Sequence, residues 1–324
     1  MHLRAIVGLA AIWSATAAMA DPPSLSLPID CVLGQDCFIQ QYVDHDPGPD
    51  ALDFTCGSRS YDGHKGTDIR VAHIATIKGS GVAVLAAAPG KVLATRDAMP
   101  DIAQYSPNAP DIAGKECGNG VLIDHGDGWH SQYCHMRKDS ISVTAGDRVD
   151  RGQPMGLVGL SGLTEFPHLH IKISEGERLV DPFHPTDITT CGDDPPQLWA
   201  KPIAYAPGGI MALGFASSAV DYETVRNGPI SPETLTVDAP AITIWGYFYG
   251  LSRGDEIQIS IRMPDGGILT EHSETVSRDR AEAYRFIGKK RTASTWPKGR
   301  YDGTVEILRG NQMLDQRTAH ITID

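Results

Sequence analysis

The chain has no basic surplus: 28 Lys and Arg stand against 40 Asp and Glu, a formal net charge of −12 over 324 residues. Nucleic-acid-binding proteins normally carry the opposite balance, so no nucleic-acid partner is expected. An acidic protein can still act on a partly anionic polymer, because only the local field of its cleft matters. Beyond the first twenty residues no apolar run is long enough to cross a bilayer. None of the six cysteines stands in a C-x-x-C spacing, which argues against a redox dithiol and against a thiolate zinc site. Internal repeats and low-complexity tracts are absent, and residues from about 51 to 190 show no long helical period.

Hydrophobic residues make up 41% and charged residues 21%, proportions that support a real core, and the length suits two domains. Residues 1–20 have the form of a secretory signal. Arg4 supplies the positive start, Ala5 to Trp13 the apolar middle, and Ala18-Met19-Ala20 the small-residue cleavage site. An uncleaved anchor is the weaker reading, because the apolar run is short for a membrane span. The mature protein is expected to start near Asp21, to be exported without stable membrane insertion, and to reside in the periplasm, with secretion as the alternative. Six cysteines in an exported chain point to disulfides. Cys31 and Cys37 are close enough for a local loop, whereas Cys56, Cys117, Cys134 and Cys191 flank the segments that carry the chemistry.

Four regions follow the leader. Residues 21–50 form a Pro- and Asp-rich lead-in, 51–191 a Gly-, Val- and Ile-rich body, and 192–209 a Pro-rich linker. Residues 210–324 alternate as strands do and turn at Pro264-Asp265-Gly266 and Arg309-Gly310-Asn311, which predicts a small immunoglobulin-like β-sandwich. In the body, strands are expected over 82–88, 91–95, 120–125, 129–136 and 168–173, with a hairpin at Gly126-Asp127-Gly128. The fold class is therefore mainly β.

Along a strand of period two, His168, His170 and Lys172 face one way while Leu169, Ile171 and Ile173 face the core. Two imidazoles then project from one rigid surface. His64 and Asp68, three residues between them, could offer a nitrogen and a carboxylate oxygen to one metal, from a loop and a strand respectively. One of the His168/His170 pair would supply the third ligand, while His125, His130 and His135 share the next hairpin and sequence alone does not select among them. Three such ligands leave a fourth position for water, the open coordination of catalytic zinc. Further histidines could take the proton of that water and stabilise a developing oxyanion. Taken singly, each of these patterns also occurs on ordinary surfaces.

In combination and order they resemble the lysostaphin/LytM-type peptidoglycan zinc metalloendopeptidases. The resemblance runs from about Gly63 to Ile173 and includes His64/Asp68, Val84 to Val92, Gly118 to Gly126, Tyr133/His135, the G-D-x-V-x-x-G-Q-x-x-G of Gly146 to Gly156, and Pro167-His168-Leu169-His170. It implies a β-sheet fold of duplicated-hybrid-motif type, Zn2+ held by His64, Asp68 and His170, and His135 and His168 as catalytic histidines. The implied substrate is peptidoglycan peptide. The chain departs from the family at Leu163 to Phe166, at Ile171-Lys172, and in a Pro-rich loop over 97–117, all of which bear on substrate preference. Two other readings are a non-catalytic wall-binding or regulatory protein that keeps a zinc site, and an exported protease acting on proteins. The C-terminal region could recruit a cell-wall or protein partner, although Trp245, Tyr247, Phe248 and Tyr249 are expected to pack rather than bind. His184, His272 and His320 lack partners at ligand spacing.

Overall fold

Alternating apolar and polar residues build this chain around strands. The computed structural model describes residues 21–192 and 195–324, and the expected leader at 1–20 lies outside the described residues. The first region contains β1 (Cys37–Gln41), β2 (Thr67–Val71), β3 (Ala83–Leu85), β4 (Gly90–Arg96), β5 (Asn119–Gly126), β6 (Trp129–Met136), β7 (Arg148–Val149), β8 (Pro154–Leu157), β9 (His168–Glu175) and β10 (Arg178–Val180). One antiparallel sheet runs β1-β2-β9-β6-β5-β4-β7 with β10 beside β9, and β3 pairs with β8. No described helix is long and apolar enough to cross a membrane.

The period-two expectation for β9 holds. Leu169, Ile171 and Ile173 are buried in a core shared with Val121, Ile123 and Tyr133, which leaves His168, His170 and Lys172 on the opposite face. Truncating a side chain such as Ile171 to Ala should cost about 2–5 kcal/mol, because a close-packed site cannot collapse fully around the loss.

The lead-in and the Pro-rich stretch are more ordered than composition implied. Leu25 and Ile29 are buried in the same core, Leu25 bridges to Trp199, and β1 forms the sheet edge against β2. Leu198 and Trp199, inside the stretch read as a linker, are buried there too. Their apolar area outweighs the turn-forming tendency of the prolines around them. All six cysteines are paired, as Cys31–Cys37, Cys56–Cys191 and Cys117–Cys134.

The second region contains β11 (Gly209–Ala216), α1 (Tyr222–Asn227), β12 (Thr234–Leu235), β13 (Ala241–Leu251), β14 (Glu256–Arg262), β15 (Ile268–Thr275), β16 (Arg280–Lys290), β17 (Gly299–Arg309) and β18 (Gln312–Ile323). Its sheets, β11-β13-β16 and β12-β18-β17-β14-β15, share one apolar core. Asp221 caps α1 by accepting from the Thr224 amide. Every residue of β13 is buried, since each of its faces has a neighbour. Ile242, Ile244 and Phe248 enter the core between the two sheets, whereas Trp245, Tyr247 and Tyr249 cluster with Phe38 of the first region. The aromatic run is packing, as its alternation implied, but against two different partners.

Candidate metal centre

His64 arrives on the loop before β2. Its Nδ1–H donates to the Tyr42 carbonyl at 2.6 Å, which turns the Nε2 lone pair inward. The Tyr61 ring stacks on it with centroids 4.4 Å apart. Asp68 lies on β2 directly across from His170 on β9, so strand register alone brings these two together. Asp68 Oδ1 stands 3.2 Å from His64 Nε2 and 2.8 Å from His170 Nδ1, and the two nitrogens are 3.2 Å apart. A tetrahedral ion with ligand distances of about 2.0–2.2 Å needs donors roughly 3.3–3.6 Å apart, so this triangle fits a small divalent cation after slight expansion. Gly66 is required beside it, because a Cβ there would lie 2.5 Å from His170 Nε2.

His168 and His135 border the triangle. The His168 Nδ1–H donates to the Phe166 carbonyl at 2.9 Å, with Thr164 Oγ1 at 3.1 Å, and its Nε2 lies 3.4 Å from Asp68 Oδ1. Phe166 stacks on the His168 ring at 4.4 Å. The His135 Nδ1–H donates to the Ser161 carbonyl at 2.8 Å, and its ring sits 4.6 Å from that of His168 and 5.9 Å from that of His170. Alternation along β6 would turn His135 into the core. Instead the register places two residues, Cys134 and His135, opposite Gly120 alone, between the pairs Asn119–Met136 and Val121–Tyr133. This is a β-bulge, and His135 adopts a φ of 61°. The Cys117–Cys134 disulfide and the His135 amide, which donates to the Cys117 carbonyl at 2.8 Å, hold the bulge.

The charges sort accordingly. Burial opposes ionisation of Asp68, but the charges of His64 and His168 and hydrogen bonds from His168 and His170 outweigh it and hold the carboxyl well below its usual range. Burial pushes the His64 pKa down, yet Asp68 reverses the balance and leaves it raised. Burial, reinforced by His168 and His170, holds His135 well below the ordinary imidazole value and therefore neutral at pH 7. Burial also lowers His170.

All five residues singled out from the sequence thus converge, while the other two histidines of the hairpin do not. The ring nitrogens of His125 contact the Pro89 carbonyl and Ser131 Oγ, and His130 lines a separate hollow with Gln132 and Lys172. The supporting residues Tyr42, Tyr61, Ser161 and Thr164 were missed. Only the placement of Tyr61 three residues before His64 offered a signal. Among the described residues one other group has metal-binding spacing, Cys31, Asp36 and Cys37, but its sulfurs are spent in a disulfide. His184 packs edge-on to His45, which pairs with Asp181 at 2.9 Å, and belongs to neither group.

A His-Asp-His cluster with two histidines beside it, set on an antiparallel sheet, offers a donor set that could hold a divalent cation. Residues 62–182 match the model of peptidase family M23. The lysostaphin/LytM-type resemblance is thereby borne out. Over 64 residues the chain is 41% identical to the peptidoglycan DD-endopeptidase ShyA of Vibrio cholerae, covering 20% of this chain and 14% of that protein. Over 70 residues it is 34% identical to the cell division protein DipM of Caulobacter vibrioides, covering 22% and 11%. The matches therefore span a small part of either relative. Among solved structures, the catalytic domain of the M23 protein EnpA from Enterococcus faecalis is 24% identical, covers 44% of this chain and 88% of that one, and has a TM-score of 0.30. So low a TM-score adds nothing to the assignment.

Proposed function

We propose that this protein is an exported, periplasmic zinc metalloendopeptidase that hydrolyses peptide bonds in the stem peptides or cross-links of peptidoglycan. The observation that carries the reading is the donor triangle of His64, Asp68 and His170 with a neutral His135 beside it. The named activity of ShyA supports the substrate class. His64, Asp68 and His170 would hold the ion, which when bound acidifies a water molecule and polarises a peptide carbonyl.

The remaining chemistry falls to the protein's own groups. His135, with its proton fixed on Nδ1 by the Ser161 carbonyl, presents Nε2 as a base for the proton of an attacking water. It then carries that proton to the departing amine. His168, oriented by Phe166 and Thr164, presents Nε2 toward the cluster, on the side where the oxyanion of the scissile carbonyl develops.

The test is digestion of purified sacculi by the mature protein, with and without a zinc chelator, followed by mass analysis of the released muropeptides. Loss of cross-linked species that the chelator blocks is expected. Intact sacculi despite about one zinc per chain would overturn the reading and favour a wall-binding or regulatory protein.

A further inference from the structure

The catalytic histidine His168 is held by a chain of contacts that ends in the other module. Phe166 accepts its Nδ1–H and covers its ring, and on the Phe166 ring rests the guanidinium of Arg70, 4.8 Å from the centroid. Arg70 lies on β2 directly opposite His168 and is 0% exposed. A buried guanidinium without a counter-charge is strongly unfavourable. The counter-charge is Glu282, on β16 of the C-terminal module. Glu282 in turn accepts from the Tyr222 phenol, and Tyr247 stands 3.2 Å from Arg70 Nη2.

A second route ends on the same loop. Arg226, in the last turn of α1, donates to the Glu165 carbonyl, and its guanidinium lies 4.2 Å from the centroid of Tyr105. It thereby joins the Pro-rich 97–117 loop to the 161–167 loop. The neighbouring Val225 carbonyl accepts from His73 Nδ1 at 2.7 Å, just beyond β2. Adhesion between the modules is already provided by the aromatic cluster of Phe38, Trp245, Tyr247 and Tyr249. The polar contacts do something narrower, since both routes converge on residues 165 and 166, next to the reacting ring.

We propose that the C-terminal module is a working wall of the catalytic groove, in which Arg226 and Glu282 act as positioning residues that fix the 161–167 loop and, through Phe166, the ring of His168. This inference rests on the reading of His168 as a reacting group. It predicts that the module tunes turnover from behind the groove without touching the metal ligands. It also gives a physical role to Glu165 and Phe166, where the sequence departs from its family.

The test uses the full chain with Arg226→Met, Arg226→Lys, Glu282→Ala and Glu282→Gln. Zinc content, thermal midpoint, kcat and KM on a purified cross-linked muropeptide, and amide exchange over 161–168 are read for each. Arg226→Met should keep zinc and fold, and Glu282→Ala should keep zinc in a folded chain with a lowered thermal midpoint because Arg70 loses its partner, yet both should lose about tenfold to a hundredfold in kcat, the scale of a displacement near 1 Å. Exchange over 161–168 should accelerate while that of β5 stays unchanged, and Arg226→Lys and Glu282→Gln should recover part of both effects. Wild-type kcat and exchange in Arg226→Met and Glu282→Ala would overturn the proposal. So would loss of zinc or fold in step with activity, which marks a merely structural contact. If the wild type cleaves no muropeptide, the proposed function fails, and the exchange measurement still decides whether the wall exists.

Discussion

The two β regions differ in what they bury. All but three of the buried polar and charged side chains among the described residues, the exceptions being Arg226, Thr243 and Asp255, lie before residue 193. The first region buries Asp68, His64, His135 and His168, each with a named partner. The second closes over an apolar core of Ile244, Phe248, Ile259, Tyr301 and Val305. Burying a polar group lowers stability unless it is hydrogen-bonded, so the first region depends on keeping each of these partners in place. The second can be stable without such a burden. Substitutions in the two regions should therefore fail in different ways.

The largest separation is expected at the ligands. His170→Ala should release zinc and abolish sacculus digestion while far-UV circular dichroism stays native, and full zinc content with full activity would sink the assignment. One step smaller, His135→Ala should retain zinc and the fold but lose about 10²- to 10⁴-fold in kcat, the range of a general base. An unchanged kcat would remove His135 from the reaction. On the other side, Phe248→Ala should cost about 3–5 kcal/mol in denaturant unfolding, with zinc stoichiometry of the folded fraction unchanged. Metal loss in that variant would break the contrast between the regions.

The smallest effect tests where the regions meet. Burial opposes ionisation of Glu282, but Arg70 and hydrogen bonds from Tyr222, Arg70 and Tyr247 outweigh it and hold its carboxyl below the usual value. Its contribution is thus fully present above the ordinary glutamate pKa and lost as pH falls through the depressed folded value. Glu282→Gln should flatten the acid decline of the thermal midpoint by about 2–4 °C relative to wild type. Parallel curves for the two proteins would show that the ion pair does not bind the regions together.

Much of this was legible because strand periodicity is simple. H-x-H in β9 implied two imidazoles on one face, and Asp68 on β2 met His170 through register. His135 could not be chosen from His125 and His130, because the choice lies in a bulge whose extra residue leaves no compositional mark. The resemblance supplied that choice. The burial of Leu198 and Trp199 was hidden by the prolines around them, since local turn preference was read where long-range packing decides. Arg70 was equally opaque: an arginine in a strand gives no sign that its counter-charge lies at Glu282, 212 residues away.

The bulge in β6 has a consequence best put as parity. Even positions His130, Gln132 and Cys134 look outward, and odd positions Trp129, Ser131 and Tyr133 look inward. At Cys134 the count slips, so the odd-numbered His135 joins the outward face and the even-numbered Met136 returns to the core. Substitutions conserve that count and length changes do not. Removing Cys134 would restore strict alternation and shift His135 into the place opposite His170, one strand position away from its present seat beside His168, although both histidines would still be encoded. For this segment the number of residues is as much a part of the site as their identity.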